Sequence, residues 1–136
     1  MACLDTNVLL DLLGRGTAEW GRRAREQVNS LRARHEDLVT TRFNVAELWV
    51  GIFRSRNPLE ERRKVKAVLD DLTILDFDQL TGKLFGRFKA HLLNIGRPVS
   101  DMDILIAAVA QANGHSLVTR NPADFQNIPG LTVLTY

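Results

Sequence analysis

The sequence predicts a three-layer α/β domain in which helices flank a mostly parallel central sheet. Short apolar segments of strand length alternate with longer segments of helical periodicity, and this alternation favours parallel pairing through right-handed crossovers. The 136 residues are enough for one compact domain with a hydrophobic core, and too few for two ordinary ones. A content of 45% hydrophobic and 25% charged residues is typical of a folded globular protein. We therefore expect residues 1–136 to form a single domain.

The first quarter of the chain predicts two strands with two helices between them. Residues 2–4 are apolar and precede Asp-Thr-Asn, a pattern typical of a buried strand that ends in a polar turn. Two helices are predicted over residues 7–13 and 17–35, with a break at Gly14 and Gly16. The second strand is predicted over residues 38–40.

The middle of the chain predicts two more helices and a third strand. From Asn44 onward the apolar residues keep helical spacing, which places one face of this helix in the core. These residues are Val45, Leu48, Trp49, Ile52 and Phe53. Glu47 lies off that stripe, on the side of Asn44. After Asn57-Pro58 a further helix is marked by Val65, Val68, Leu69 and Leu72. Residues 73–75 form the third predicted strand.

The last third of the chain predicts two helices and two strands. Apolar residues recur every four positions in the first of these helices, at Leu80, Leu84, Phe88 and Leu92. This helix should end near residues 96–98, and Ser100 should open the next one. Residues 104–110 are apolar on all sides, so that helix should be packed over most of its surface. The remaining strands are predicted over residues 117–118 and 132–134.

Several classes of protein are disfavoured by features that the sequence lacks. The longest apolar run, residues 104–110, is far shorter than the roughly 20 residues of a membrane helix. The N-terminus lacks the basic region of a signal peptide, and the single cysteine, Cys3, suits a reducing compartment. A cytoplasmic location is therefore expected. The three histidines are scattered and there is one cysteine, which disfavours a zinc site. No GxxxxGK[ST], GxGxxG or GxSxG motif is present, which disfavours nucleotide hydrolysis, dinucleotide redox chemistry and α/β-hydrolase chemistry in turn.

Basic residues gather in two clusters, and 14 of the 18 are arginine. The first cluster is Arg22, Arg23, Arg25, Arg32 and Arg34, and the second is Arg54, Arg56, Arg62, Arg63, Lys64 and Lys66. Arginine's planar fork suits phosphate binding, so both clusters are candidate contacts for a nucleic-acid backbone. The alternative interpretation is that they form the solvated sides of helices.

Acidic and amide side chains are predicted to meet at the carboxyl edge of the sheet, because they follow strands or begin helices. They are Asp5, Glu47, Asp101, Asp103, Asn121 and Asp124. Carboxylates gathered at one edge repel one another and resist desolvation unless a cation neutralises them. Mg²⁺ is the natural candidate, because this hard ion takes oxygen ligands and usually retains several waters.

Each acid also has a simpler structural interpretation. Asp5 could be a turn or helix-capping residue, and Glu47 could face solvent on its helix. Asp103 lies three residues after Ser100, which is the spacing of a capping box. Asp124 could be a turn residue. Three of these acids, Asp5, Glu47 and Asp103, are the principal candidates. Because each lies at an expected carboxyl-end position, the three together favour a metal site over separate capping roles.

Four segments of the chain carry motifs in a characteristic order: LDTNVLLDLL, TRFNVAELWVGIF, GRPVSDMDILIAAVA and HSLVTRNPADFQNIPGLTVLTY. In this order they resemble the motifs of PIN-domain ribonucleases, and most closely those of the VapC toxins of bacterial and archaeal toxin–antitoxin pairs. The resemblance covers essentially the whole chain and implies a three-layer PIN-like domain.

The resemblance implies that Asp5, Glu47 and Asp103 are the catalytic acids and the ligands of Mg²⁺, with Mn²⁺ as a substitute. Asp103 is preferred over Asp101 because it directly precedes the family's apolar I/L-x-I-A-A stretch. Asp101 is kept as a supporting residue at the rim.

Four further residues are supporting candidates. They are Thr6, Thr119, Asn121 and Asp124. The two threonines resemble the family's small polar residues beside the metal, where a hydroxyl can orient a carboxylate. Asn121 stands where many PIN domains carry a fourth acid, which disfavours a fully acidic second-metal site.

The resemblance implies a Mg²⁺-dependent endoribonuclease that hydrolyses RNA phosphodiester bonds and acts as the toxin of a type II VapBC system. It also implies a cytoplasmic homodimer, neutralised by a small VapB-type antitoxin whose tail covers the active-site groove. Trp49 and Phe53 are candidate anchors for a partner, with core packing as the alternative. A haloacid-dehalogenase-like phosphatase is disfavoured, because Asn7 stands where that class needs its second acid. A degenerate PIN domain that binds RNA or a partner without catalysis is left open by Asn121.

Overall fold

The computed structural model describes residues Met1 to Tyr136 and contains five strands, six α-helices and one short 3-10 helix. In chain order these are β1 (Ala2–Leu4), α1 (Thr6–Leu12), α2 (Ala18–Ala33), β2 (Leu38–Thr41), α3 (Arg42–Arg54), α4 (Pro58–Leu69), β3 (Thr73–Leu75), α5 (Gln79–Asn94), α6 (Asp101–Ala112), β4 (Ser116–Val118), the 3-10 helix (Pro122–Asp124) and β5 (Val133–Leu134). Every predicted strand and helix is present, and most boundaries lie within two residues of the prediction. No helix combines the length and the apolar composition that a membrane span requires.

The sheet is parallel throughout, with strand order β3-β2-β1-β4-β5. The chain adds β2 and β3 on one side of β1, and then returns to add β4 and β5 on the other side. The strand order therefore reverses between β1 and β4. In open α/β sheets, ligands bind outside the carboxyl ends of the strands at such a reversal point. The predicted α/β class is confirmed. The topology indicates that a binding site would lie among the residues that follow β1 and β4.

Helices cover both faces of the sheet, and the strands divide their side chains between two cores. Side chains of adjacent strand residues point to opposite faces. In β1, Ala2 and Leu4 contribute to the core under α1 to α4, whereas Cys3 contributes to the core under α5 and α6. Helix α6 is buried as predicted, since Ile104 and the residues from Ile106 to Ala110 are inaccessible to solvent.

Three helices begin at the carboxyl edge of the sheet, and a side chain caps each of them. Asp5 accepts a hydrogen bond from the first backbone N–H of α1 at 2.8 Å. Thr41 and Asn44 form a reciprocal capping box at the start of α3. Ser100 Oγ accepts from the backbone N–H of Asp103 at 3.1 Å and so caps α6. These caps fix where α1, α3 and α6 start, and so where their first-turn side chains lie.

Trp49 and Phe53 lie outside the core, so the prediction that they belong to the buried stripe of α3 is wrong. Trp49 is 36% exposed and Phe53 is 75% exposed. The buried residues of this stripe are Val45, Leu48 and Ile52. Because an α-helix turns by about 100° per residue, Trp49 and Phe53 are rotated away from the buried line, each one position past a buried residue.

The four-residue repeat in α5 does not stay in the core along its whole length. Leu80 is 51% exposed, whereas Phe88 and Leu92 are buried. A spacing of four residues exceeds the helical turn, so such a stripe drifts by about 40° at each step.

Helix α4 ends at Leu69, so Leu72 lies beyond it, although Leu72 still packs against the core.

Candidate active site

Asp5 lies at the end of the central strand, β1, and is only 6% exposed. Its Oδ1 accepts hydrogen bonds from the backbone N–H of Thr6 at 2.8 Å and from Asn44 Nδ2 at 3.2 Å. Its Oδ2 accepts a hydrogen bond from the Thr119 hydroxyl at 2.8 Å. The carboxylate is therefore held from three sides, by α1, α3 and the segment after β4.

The pKa of Asp5 is raised to about 6, mainly because burial disfavours its charged form. The hydrogen bonds from Thr119 and Thr6 lower this pKa, and the negative charges of Asp103 and Glu47 raise it. Glu47 and Asp103 are therefore each close enough to Asp5 to affect its charge. The structure brings them to the same edge of the sheet, as their positions in the sequence predicted.

Glu47 is joined to Asp5 through two polar side chains. The Thr6 hydroxyl donates to Glu47 Oε1 at 2.6 Å. Asn44 Nδ2 donates both to Thr6 Oγ1 at 2.9 Å and to Asp5 Oδ1 at 3.2 Å. Asn44 is fully buried, and its Oδ1 accepts from the Thr41 hydroxyl at 2.7 Å, which fixes the amide orientation. Thr6, predicted as a supporting residue, therefore orients Glu47, with Asn44 as the common donor.

Thr119 connects β4 to Asp5. Besides donating to Asp5, its hydroxyl oxygen accepts from Asn7 Nδ2 at 3.3 Å and from the backbone N–H of Asn121 at 3.1 Å. Thr119 is fully buried, so this hydroxyl is committed to these partners. Asn121 takes part through its backbone, and its own exposed side chain makes no capping hydrogen bond at the 3-10 helix.

Asp103 lies in the first turn of α6 and is partly buried. Its pKa is raised, first by burial and also by the nearby charge of Asp124, while the hydrogen bond with Ser100 lowers it. A cavity of about 440 Å³ opens beside Asp103 and is also lined by Ser100, Asp124 and Arg97. Asp101 points elsewhere, because its exposed carboxylate pairs with Lys89 at 2.9 Å. This pairing favours Asp103 over Asp101 as the site residue.

The acids of this edge lack basic partners, whereas most other acids of the chain have one. Of the 16 acidic residues, ten form salt bridges and six do not. The six are Asp5, Asp37, Glu47, Asp78, Asp103 and Asp124. Four of them therefore lie at this one edge. A protein that pairs most of its acids elsewhere leaves negative charge uncompensated here, and this arrangement suits a cation as the missing partner.

The donor chemistry of the site fits a hard divalent ion. The available donors are carboxylate and hydroxyl oxygens, which Mg²⁺ prefers, and no cysteine or histidine is among them. No group of three or more His, Cys, Asp and Glu side chains is gathered tightly enough to enclose an ion on its own. An ion that keeps several waters needs fewer direct carboxylate contacts, so the site suits a partly hydrated ion. Direct ligation by all three acids stays a prediction.

Two asparagines and a buried ion pair at the site were not predicted from the sequence. Asn44 and Asn7 link the principal acids to the flanking segments, as described above. Asp11 is fully buried, and Arg120 Nη1 donates to its Oδ1 at 3.0 Å. The capping position of Asn44, three residues after Thr41, was the available signal for the first of these. The pairing of Asp11 with Arg120 joins residues 109 positions apart, and nothing local in the sequence indicates it.

The two basic clusters differ in how far their charges are neutralised. In the first, Arg22 and Arg23 pair with glutamates on the same helix, Glu26 and Glu19. These pairs support the interpretation as a solvated helix face for that part of α2. In the second, Lys64 pairs with Glu60 and Lys66 pairs with Asp70, whereas Arg54, Arg56 and Arg63 form no salt bridge.

Residues 2–131 match the family model of the PIN domain, and the chain belongs to this family. It is 30% identical over 128 residues to ribonuclease VapC2 of Haemophilus influenzae, with 94% of this chain and 92% of the relative covered. It is 27% identical over 128 residues to the tRNA(fMet)-specific endonuclease VapC of Shigella flexneri, with the same coverage. The crystal structure of DNA-bound VapBC from Salmonella typhimurium matches with a TM-score of 0.85 and 27% identity, covering 98% of this chain and 96% of that one. The resemblance inferred from the sequence motifs is confirmed.

Proposed function

We propose that this protein is a divalent-metal-dependent endoribonuclease and the toxin of a VapBC-type toxin–antitoxin pair. The observation that carries the proposal is the buried carboxylate of Asp5, which the charges of Glu47 and Asp103 both reach, at an edge where none of these three acids has a basic partner. The similarity to proteins named as VapC ribonucleases supports the same conclusion. The proposed unit of function is the whole chain, residues 1–136.

Asp5, Glu47 and Asp103 would hold Mg²⁺, or Mn²⁺ in its place. When bound, such an ion activates water at neutral pH and offsets the charge that develops on the phosphate. Asn121, in place of a fourth acid, favours one permanently bound ion, with a second recruited together with the substrate.

The chain's own residues orient the acids and receive the substrate. Asn44 and Thr119 fix the two oxygens of Asp5, and Thr6 fixes Glu47. Hydrogen bonds of this kind keep a ligand in one orientation, so less reorganisation is needed when charge develops. Arg97 lines the cavity beside Asp103 and makes no salt bridge, so its guanidinium is available for a backbone phosphate of RNA.

The proposed partner is a small VapB-type antitoxin, and the proposed assembly is a homodimer in the cytoplasm. The match to a VapBC structure supports the antitoxin. A suitable apolar surface lies on α3, where the exposed rings of Trp49 and Phe53 stack with centroids 5.4 Å apart. Beside them a cavity of about 200 Å³ opens between α3 and α4, with Arg62 over the Trp49 ring. Aromatic side chains of this kind commonly anchor protein interfaces.

The experiment that tests the proposal is RNA cleavage by the purified chain in Mg²⁺, in Mn²⁺ and in EDTA. Transfer RNA is included among the substrates, because one relative is named for cleaving it. We expect internal cleavage in either metal and none in EDTA. The Asp103→Asn variant should lose cleavage, whereas Asp101→Asn is a matched control that should retain it. Equal cleavage in EDTA, or by Asp103→Asn, would contradict the proposal.

The alternative is a PIN domain that binds RNA or a partner without catalysis. Asn121 motivates it, since this side chain leaves the site one acid short. The similarity to proteins named as ribonucleases and the presence of all three principal acids favour the enzyme.

A further inference from the structure

Asp11 is a fully buried carboxylate with a complete set of partners, and it lies outside the group of principal acids. Arg120 Nη1 donates to its two oxygens at 3.0 and 3.3 Å, and the Tyr136 hydroxyl donates at 2.6 Å. Arg120 also lies over the ring of Trp20, with 5.2 Å between the guanidinium carbon and the ring centroid. Burying a carboxylate is costly unless it is paired and hydrogen-bonded, so this arrangement holds Arg120 in one place.

Arg120 directly follows Thr119, the residue that donates to Asp5. The backbone N–H of Arg120 donates to Asn7 Oδ1 at 3.0 Å, and Asn7 Nδ2 donates to the Thr119 hydroxyl at 3.3 Å. The segment after β4 is thus attached to α1 at two points. Asn7, in the first turn of α1, binds the backbone of this segment. Asp11, near the end of α1, binds the Arg120 side chain.

We propose that Arg120 is a positioning residue, whose ion pair with buried Asp11 holds the segment after β4 so that the Thr119 hydroxyl fixes the Asp5 carboxylate for metal binding. The inference rests on the proposed function, because it assumes that Asp5 is a metal ligand. Without the ion pair, the Thr119 side chain keeps its chemistry and loses its fixed position relative to Asp5. Asp5 then has one donor less to orient it, and the ion should bind more weakly.

The test measures Mn²⁺ binding by electron paramagnetic resonance in the folded full-length protein, without RNA. Circular dichroism selects a temperature at which every variant is folded. Arg120→Met removes the guanidinium and keeps the aliphatic stem. Arg15→Met is the matched control, because it removes an arginine that pairs with another buried acid, Glu61, at 3.1 Å. We expect Arg120→Met to weaken Mn²⁺ binding by at least about tenfold, as loss of outer-shell partners does at metal sites. The control should bind Mn²⁺ like the wild type.

A double-mutant cycle separates positioning from a general loss of stability. If Arg120 acts through Thr119, Arg120→Met should weaken binding in the wild type and have little further effect in the Thr119→Val background. Fully additive effects, or wild-type affinity in Arg120→Met, would overturn the inference. Should Arg120→Met fail to fold, Arg120→Gln removes the positive charge, and with it the ion pair, while keeping a hydrogen-bond donor; wild-type Mn²⁺ affinity in that variant would overturn the inference as well. Absence of Mn²⁺ binding by the wild type would instead overturn the proposed function, and this inference with it.

Discussion

The Asp5→Asn variant tests whether the fold holds a carboxylate in place at a cost to stability. Burial raises the pKa of Asp5 from 3.8 to about 6, so the folded protein binds the proton more tightly than the unfolded chain does. This tighter proton binding adds to the free energy of unfolding. The added free energy is fully present below about pH 4 and is lost as the pH rises through about 6. Since one pKa unit corresponds to about 1.4 kcal/mol, ionising Asp5 costs the folded state about 3 kcal/mol.

The substitution also removes a hydrogen bond, and comparison of two pH values separates the two effects. The amide nitrogen of asparagine cannot accept from the Thr119 hydroxyl, whose oxygen already accepts from Asn7 and Asn121. That loss costs about 1–3 kcal/mol and varies little with pH. The stability of Asp5→Asn relative to the wild type should therefore rise by about 2 kcal/mol between pH 4.5 and pH 7.5.

The assay is urea unfolding followed by circular dichroism, in EDTA, at both pH values. Asp101→Asn is the matched control, because its exposed carboxylate forms only a surface ion pair with Lys89. Adding Mg²⁺ at pH 7.5 should stabilise the wild type and leave Asp5→Asn nearly unchanged, because only a state that binds the ion is stabilised by it. A relative stability of Asp5→Asn that stays constant between the two pH values would show that burial does not raise the pKa of Asp5.

Four further predictions concern the same edge of the sheet and the exposed surface of α3. Asp103→Asn should keep the fold and lose most RNA cleavage; thermal unfolding and cleavage are measured together, and an unfolded variant would favour the capping role. Asn121→Asp should tighten binding of a second Mn²⁺, as measured by calorimetric titration. Asp124→Asn should change the initial rate of RNA cleavage only modestly if that residue mainly forms the turn, and a steep loss of cleavage would make Asp124 a principal acid. Trp49→Ala combined with Phe53→Ala should leave cleavage unchanged and weaken antitoxin binding at least about tenfold, as loss of interface anchors does; unchanged affinity in a pull-down titration would exclude this surface.

The fold was predictable because its signals are local and periodic. Apolar residues 2–4 and 38–40 each lie between turn signals, and a strand buried on both faces produces just such a short run. The wrong predictions arose where a one-dimensional pattern ignored helix geometry. Trp49 and Phe53 follow helical spacing but lie past the edge of the buried stripe, and Leu80 belongs to a repeat that drifts around its helix.

The candidate site was only partly predictable. The acids could be placed together, because the carboxyl ends of parallel strands share one edge of the sheet. Of the residues that orient them, Thr6 and Thr119 could be predicted from the family's motifs. Asn7 and Asn44 could not, since asparagine has many possible uses and the roles of these two depend on contacts across the sheet. The same holds for Asp11, whose partner Arg120 lies in the segment after β4. Sequence motifs identify groups that carry chemistry more readily than the hydrogen bonds that hold them.

The two buried acids Asp11 and Asp5 differ in whether a positive charge lies beside them. Asp11 has a guanidinium and a hydroxyl as partners, so its charge is neutralised within the fold. Asp5 has hydrogen-bond donors and no cation, and burial raises its pKa. A buried acid without a cation is costly, and sites of this kind are retained where function requires them. This contrast is the physical basis for proposing that the missing charge at Asp5 comes from a metal ion.

The most direct test of the central proposal is the anomalous difference map of crystals soaked in Mn²⁺ at a concentration that supports RNA cleavage. We expect a peak at the carboxyl edge of the sheet, with oxygens of Asp5, Glu47 and Asp103 reaching the ion directly or through one water. A soaked crystal of Asp103→Asn should give a weaker peak at the same place, and Asp101→Asn an unchanged one. A peak at a different place, or none in a preparation that cleaves RNA, would contradict the assignment of these three acids as the metal site.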